Sequence, residues 1–169
     1  MEQASNRPPP HVLIFPLPVQ GHVNSMLKLA EVLSIAGAQV TFVNTEHRQK
    51  CLASFTDIEA RFLKYPGFQF STIPDSVPIA HSIDVMGLHE SMELKSKPIF
   101  KQLLTEIRPQ VNCIIGDGIL GFVLDTAIEL GIPIIHFRTI SACGFWAYFC
   151  IPDMIEASEL PLKGTCICH

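Results

Sequence analysis

Short apolar runs alternate along this chain with stretches in which apolar residues recur every three or four positions. Residues 11–17, HVLIFPL, read as a buried strand. The turn Pro18-Val19-Gln20-Gly21 follows, and after His22 the spacing of Val23, Met26, Leu27, Ala30 and Leu33 predicts a helix that Gly37 stops. Residues 39–44, β-branched and aromatic, predict a second strand, and Thr45 is placed to cap a short helix running to about residue 54. Residues 57–66 read as irregular, 68–73 as a third strand, and 74–86 as a long loop. A helical stretch over 87–107 turns Leu88, Met92, Ile99, Phe100, Leu103, Leu104 and Ile107 inward, with Pro98 expected to kink or split it. Residues 111–115 predict a strand, 119–130 a helix ended by Gly131, and 133–137 a further strand. Ser141 is placed to cap a last helix over 142–156, and residues 157–169 show no element.

Strands that alternate with helices in this way imply an α/β fold, a Rossmann-like parallel sheet with helices on both faces. Residues 1–10, polar and ending in three prolines, read as a disordered lead-in; 11–156 form the domain, and 157–169 an irregular tail. The 169 residues are 48% apolar and 17% charged, which fits a buried sheet. A net charge of −4 without a basic stripe speaks against nucleic acid or an anionic membrane as partner. The polar start does not resemble a signal peptide and no apolar run is long enough to span a bilayer, so a cytoplasmic protein is expected, its six cysteines mostly buried thiols. Cys166, Cys168 and His169 offer too few ligands for a metal site.

The candidate chemistry lies at the exits of the strands. His22 stands where the first strand passes into its helix, and Asp117, between two glycines, follows the strand over 111–115. In a sheet of order 3-2-1-4-5 these strands are neighbours, and their carboxyl ends border a ligand-binding crevice. An aspartate beside a histidine fixes the imidazole tautomer and stabilises its cation, which makes a base able to take a hydroxyl proton. Thr139 follows the next strand at the same rim. The same residues also fit plainer roles: His22 a partly exposed helix start, Asp117 a turn or N-cap. The other histidines have no partner at telling spacing. No GxGxxG, Walker or GxSxG pattern is present, which disfavours a flavodoxin-like or other nucleotide binder with a phosphate cradle in the first turn.

The blocks FPLPVQGHVNSMLKLAEVL, VTFVNTEH, CIIGDGILGFVLDTAIELGIP and FRTISACGFWAYF together resemble plant UDP-dependent glycosyltransferases over roughly residues 11–163. DVMGLHESMELKSKPIFKQLL is most similar to the branch that includes 7-deoxyloganetin and related iridoid glucosyltransferases. The resemblance implies the N-terminal, acceptor-binding half of a GT-B fold. It implies His22 as base, Asp117 as its partner, and Thr139 as a contact to the donor sugar. Gln20, Met86, Leu88, Gly118, Ile119 and Phe145 are the implied acceptor contacts. The reaction would be inverting transfer of glucose from UDP-glucose to a hydroxyl of a small, largely apolar terpenoid-like metabolite, with UDP-glucose as co-substrate, no cofactor and no metal. Ser25 stands where the family usually has proline, which alters the helix's first turn but removes no catalytic group. The C-terminal donor-binding domain that the resemblance implies is expected to be missing from this chain, which alone is then expected to be inactive, to bind UDP-sugar only with a completing domain, and to self-associate through an exposed interdomain face. The alternative is a non-catalytic module that binds a small ligand or a partner.

Overall fold

A computed structural model describes residues 8–75 and 85–160, with side chains throughout except at 85 and 86. Its elements are β1 (His11–Phe15), α1 (Gln20–Ile35), β2 (Gln39–Thr45), α2 (Glu46–Phe55), α3 (Ile58–Phe62), β3 (Phe68–Ile73), α4 (Val85–Glu106), β4 (Cys113–Asp117), α5 (Gly121–Leu130), β5 (Ile134–Phe137) and α6 (Ala142–Glu156). The chain divides into two units, one ending at Thr139 and one beginning at Ile140. Most of the expected loop over 74–86, and of the lead-in and tail, lies outside the described residues, as do Cys166, Cys168 and His169.

In the first unit the five-stranded sheet is all-parallel, as the alternation of strands and helices predicts, and its order is β3-β2-β1-β4-β5, the one supposed above. Successive side chains of a strand point to opposite faces, and β1 feeds two cores. Leu13 and Phe15 join Met92, Phe100 and Leu104 of α4 and Phe122, Val123 and Ala127 of α5. Val12 and Ile14 join Val23, Met26, Leu27 and Ala30 of α1 and Ile58 and Phe62 of α3. Phe15, Phe100 and Phe122 pack mutually, with ring centroids 5.0 to 6.0 Å apart. Gly116 has no side chain because α5 lies against it: a Cβ there would meet Val123 Cγ1 at 2.8 Å.

Several boundaries differ from expectation. β1 ends at Phe15, and α1 already begins at Gln20, so Gln20 and Gly21 form its first turn rather than a loop before it. β4 runs two residues later than the apolar run suggests. Val111 is buried but unpaired in the ladder, and Asn112 occupies its edge, its N–H donating to the His11 carbonyl and its Oδ1 accepting from the His11 N–H, both at 2.8 Å. Asp117 is therefore the last strand residue, not part of the following loop. The region over 57–66 holds α3, a single turn whose Ile58 and Phe62 are buried; five residues are too few to show a period. Pro98 lies inside one continuous α4. The carbonyl it deprives of a partner belongs to Leu94, an 81% exposed residue at which water can serve instead. Thr45 caps α2 as expected, and Gly37 and Gly131 take the left-handed conformation that ends their helices, with φ of 86° and 66°.

In the second unit Ser141 caps α6 by accepting from the Gly144 N–H at 3.1 Å. Trp146, Tyr148, Phe149 and Ile155 of α6 are exposed. Among the described residues no helix is long and apolar enough to cross a membrane.

Candidate functional site

The β1 and β4 strands run side by side with Phe15 opposite Gly116, so both chains leave the sheet at the same level. Beyond Phe15 the chain turns into α1, whose third residue is His22. One residue beyond Gly116 stands Asp117, opposite Phe137 of β5, and two residues past Phe137 comes Thr139. The topology thus brings together residues 95 and 117 positions apart in sequence.

His22 Nδ1 lies 2.6 Å from Asp117 Oδ2, a short contact of the kind a charged acceptor gives. The aspartate is buried, 2% exposed, whereas the imidazole is 24% exposed. Asp117 Oδ2 also accepts the Leu17 N–H at 3.1 Å, and Oδ1 the Ile119 N–H at 3.4 Å. The carboxylate is acceptor-only when ionised, so the proton of this contact belongs to His22 Nδ1 and the Nε2 lone pair is left as the basic site. Thr139 Oγ1 lies 3.0 Å from Nδ1 and 3.4 Å from Nε2. These two distances set the hydroxyl beside the ring and off the outward in-plane direction of the Nε2 lone pair, which it leaves open to an arriving hydroxyl.

The other expected site residues divide. Gly118 and Ile119 continue directly from Asp117; Ile119 is 40% exposed. A Cβ on Gly118 would lie 2.5 Å from Arg138 Cδ, and Arg138 Nη1 donates to the Gly118 carbonyl at 2.9 Å. Gln20 is exposed on the first turn of α1. Leu88 packs against the core on the α4 side. The side chain of Met86 lies outside the described residues, and Phe145 belongs to α6 of the second unit. Ser25 donates from Oγ to the Gly21 carbonyl at 2.9 Å, within the turn that carries His22.

Three of the histidines that seem partnerless in sequence have partners. His89 Nε2 donates to the Ile119 carbonyl at 2.7 Å and lies 3.6 Å from Glu93. His47 lies 3.4 Å from Cys51 Sγ. Both pairs are four residues apart on one helix, a spacing visible in the sequence. His11, buried, bonds the Pro109 carbonyl and Thr41 at the opposite end of the sheet. Among the described residues no three histidine, cysteine or acidic side chains are grouped to hold a metal.

No family model matches the chain. Solved structures similar to it include a UDP-glucose: anthocyanidin 3-O-glucosyltransferase in complex with UDP, with a TM-score of 0.70 and 24% identity over 88% of this chain and 34% of that one. Another is Arabidopsis thaliana UGT89C1 complexed with quercetin, with a TM-score of 0.67 and 21% identity over 79% of this chain and 36% of that one. These likenesses establish the fold as the Rossmann-like half of a GT-B glycosyltransferase. In sequence, a 7-deoxyloganetic acid glucosyl transferase of Catharanthus roseus is 48% identical over 167 residues, 93% of this chain and 35% of its own length. A 7-deoxyloganetin glucosyltransferase of Gardenia jasminoides is 41% identical over 165 residues, 92% of this chain and 34% of its own length. The chain thus spans about one third of the length of the relatives it matches. With identities of this size over more than nine-tenths of its residues, the homologues of this chain are plant UDP-glycosyltransferases, of which it matches the N-terminal third.

Proposed function

We propose that this chain is the acceptor-binding half of a UDP-glucosyltransferase and that His22 is its general base. The observation that carries the reading is the 2.6 Å bond from His22 Nδ1 to the buried Asp117, in a chain 48% identical to a glucosyl transferase. An acceptor hydroxyl bound at the rim gives its proton to His22 Nε2. The acceptor oxygen then forms a bond to the anomeric carbon of UDP-glucose as the bond from that carbon to the diphosphate breaks; UDP leaves and the anomeric configuration inverts. Asp117 keeps the proton on Nδ1 throughout and stabilises the imidazolium. Thr139, beside the ring, contacts the donor sugar. The acceptor is a small, largely apolar terpenoid of the iridoid type, seated against Gly118 and Ile119. UDP-glucose is the co-substrate; the reading needs no metal and no further cofactor.

Positioning of both substrates supplies much of the rate of such a step, and the relatives are about three times as long as the region they share with this chain. The chain alone is therefore expected to bind acceptor and to turn over negligibly. The test is a fusion of residues 1–160 to the remaining two-thirds of the Catharanthus roseus relative. Given UDP-glucose and 7-deoxyloganetic acid, the fusion is expected to form a β-glucoside that the unfused chain does not form. A folded fusion that binds both substrates and yields no glucoside contradicts the reading.

A further inference from the structure

Asp117 is held by more than the strand that ends with it. Its carbonyl accepts the Leu120 N–H at 2.9 Å and its Oδ1 accepts the Ile119 N–H, so carboxylate and turn are one hydrogen-bonded unit. That turn is in turn gripped from α4. His89 Nε2 donates to the Ile119 carbonyl at 2.7 Å, and Glu93 Oε2 accepts the Phe122 N–H at 2.9 Å. Residues 89 and 93 share one helix face. Phe122 N–H is among the donors left without an intrahelical partner at the start of α5, and a carboxylate supplied from another helix satisfies it and complements the positive end of the dipole. The first residue of α5 is Gly121, and a Cβ there would lie 3.5 Å from the same Glu93 oxygen. Glu93 Oε1 is buried and, among the described residues, makes no hydrogen bond, though it lies 3.6 Å from His89 Nε2. Leaving a carboxylate oxygen so is unfavourable, and the bond that Oε2 makes to α5 is what the arrangement retains in return.

We infer that His89 and Glu93 are positioning residues, which fix the turn over 118–122 so that Asp117 holds the His22 ring proton. The role rests on the reading of His22 and Asp117 as base and partner. It assigns a task to two side chains on a helix remote in sequence from both.

The test uses the 169-residue chain, labelled with 15N, and follows solvent exchange of the His22 Nδ1 proton by NMR. His89→Ala and Glu93→Ala are each expected to speed that exchange roughly tenfold, the effect of one lost hydrogen bond on an opening equilibrium. The amide protons of β2 should keep their parent rates, which separates a local effect from general loosening. His89→Gln and Glu93→Gln, which can still donate to Ile119 and accept from Phe122, are expected to restore most of the protection. Should the alanine variants not fold, His89→Met and Glu93→Met keep the bulk, lose the bond and are read in the same way. Unchanged His22 exchange in variants lacking the bond, or glutamine variants no better than alanine, overturns the inference. Because the readout is the His22–Asp117 bond, the outcomes are separable. Turnover independent of His22 would remove the base and leave the clamp, whereas unchanged exchange beside His22-dependent turnover removes only the clamp.

Discussion

Replacing Asp117 by asparagine and by alanine separates two tasks of one buried carboxylate. The three bonds it accepts are unequal: Oδ2 takes His22 Nδ1 at 2.6 Å and the Leu17 N–H at 3.1 Å, and Oδ1 takes the Ile119 N–H at 3.4 Å. An asparagine can place its oxygen at only one of these positions. With oxygen at the Oδ2 position both short bonds survive and the amide nitrogen faces the longest contact; the reverse sets two donors against each other at Leu17. The first arrangement therefore wins, and His22 keeps its proton on Nδ1. The loss is the charge on one hydrogen bond plus one long bond, about 1–2 kcal/mol. Asp117→Ala leaves the Leu17 N–H without its partner and removes the charged bond altogether, about 3–5 kcal/mol, a large share of the ~5–15 kcal/mol by which a domain is stable. Urea denaturation measures both losses, and 15N shifts of the His22 ring report the tautomer. Asparagine as damaging as alanine, or a ring proton that moves to Nε2, would refute the reasoning that Leu17 orients the group.

Phe100 is fully buried between Phe15 and Phe122; Phe100→Ala is expected to cost about 3–5 kcal/mol in urea denaturation, and a loss under about 1 kcal/mol would contradict the packing. Glu129 is pushed down to about 2 by hydrogen bonds from Lys101 and Lys97, so its contribution is complete above the ordinary carboxyl value of about 4.3 and fades as pH falls toward about 2. Glu129→Gln should then lower the denaturation midpoint at neutral pH, with the gap from the parent closing over that window; a gap that persists at low pH would show that the ion pairs are not its cause. Burial raises the Cys113 thiol, while Cys143 is exposed. Iodoacetamide at pH 7.5 should therefore label Cys143 well before Cys113, as mass spectrometry of timed samples would show, and the reverse order would contradict the burial at Cys113.

The periodicity of apolar residues was enough to place the five strands, their parallel direction and the two helix faces that cover them, because each strand feeds a core on both sides; their order was a supposition. It missed where strands end. Val111 is as buried as a strand residue, and only the pairing of Asn112 with His11 shows that the ladder starts later. His22 and Asp117 were legible as a pair once the strand order was inferred, since that order sets their exits side by side. The orienting bond from Leu17 was not, because a backbone N–H carries no sequence signal. His89 and Glu93 did leave one, four positions apart on a helix, but their target is a turn brought near only by the packing of α4 on α5. The acceptor contacts, Gly118 and Ile119 included, were read from likeness to a family rather than from chemistry; the Met86 side chain lies outside the described residues and Phe145 belongs to the second unit.

The central claim is that the imidazole of His22 takes the acceptor's proton. Its most direct test is the rate of glucoside formation by the fused, complete enzyme carrying His22→Ala, beside the parent fusion at saturating acceptor and UDP-glucose. Loss of a positioned general base is worth about 10²–10⁴ in rate, so kcat should fall by at least about a hundredfold while acceptor binding persists. A folded His22→Ala fusion that forms glucoside at the parent rate would contradict the account.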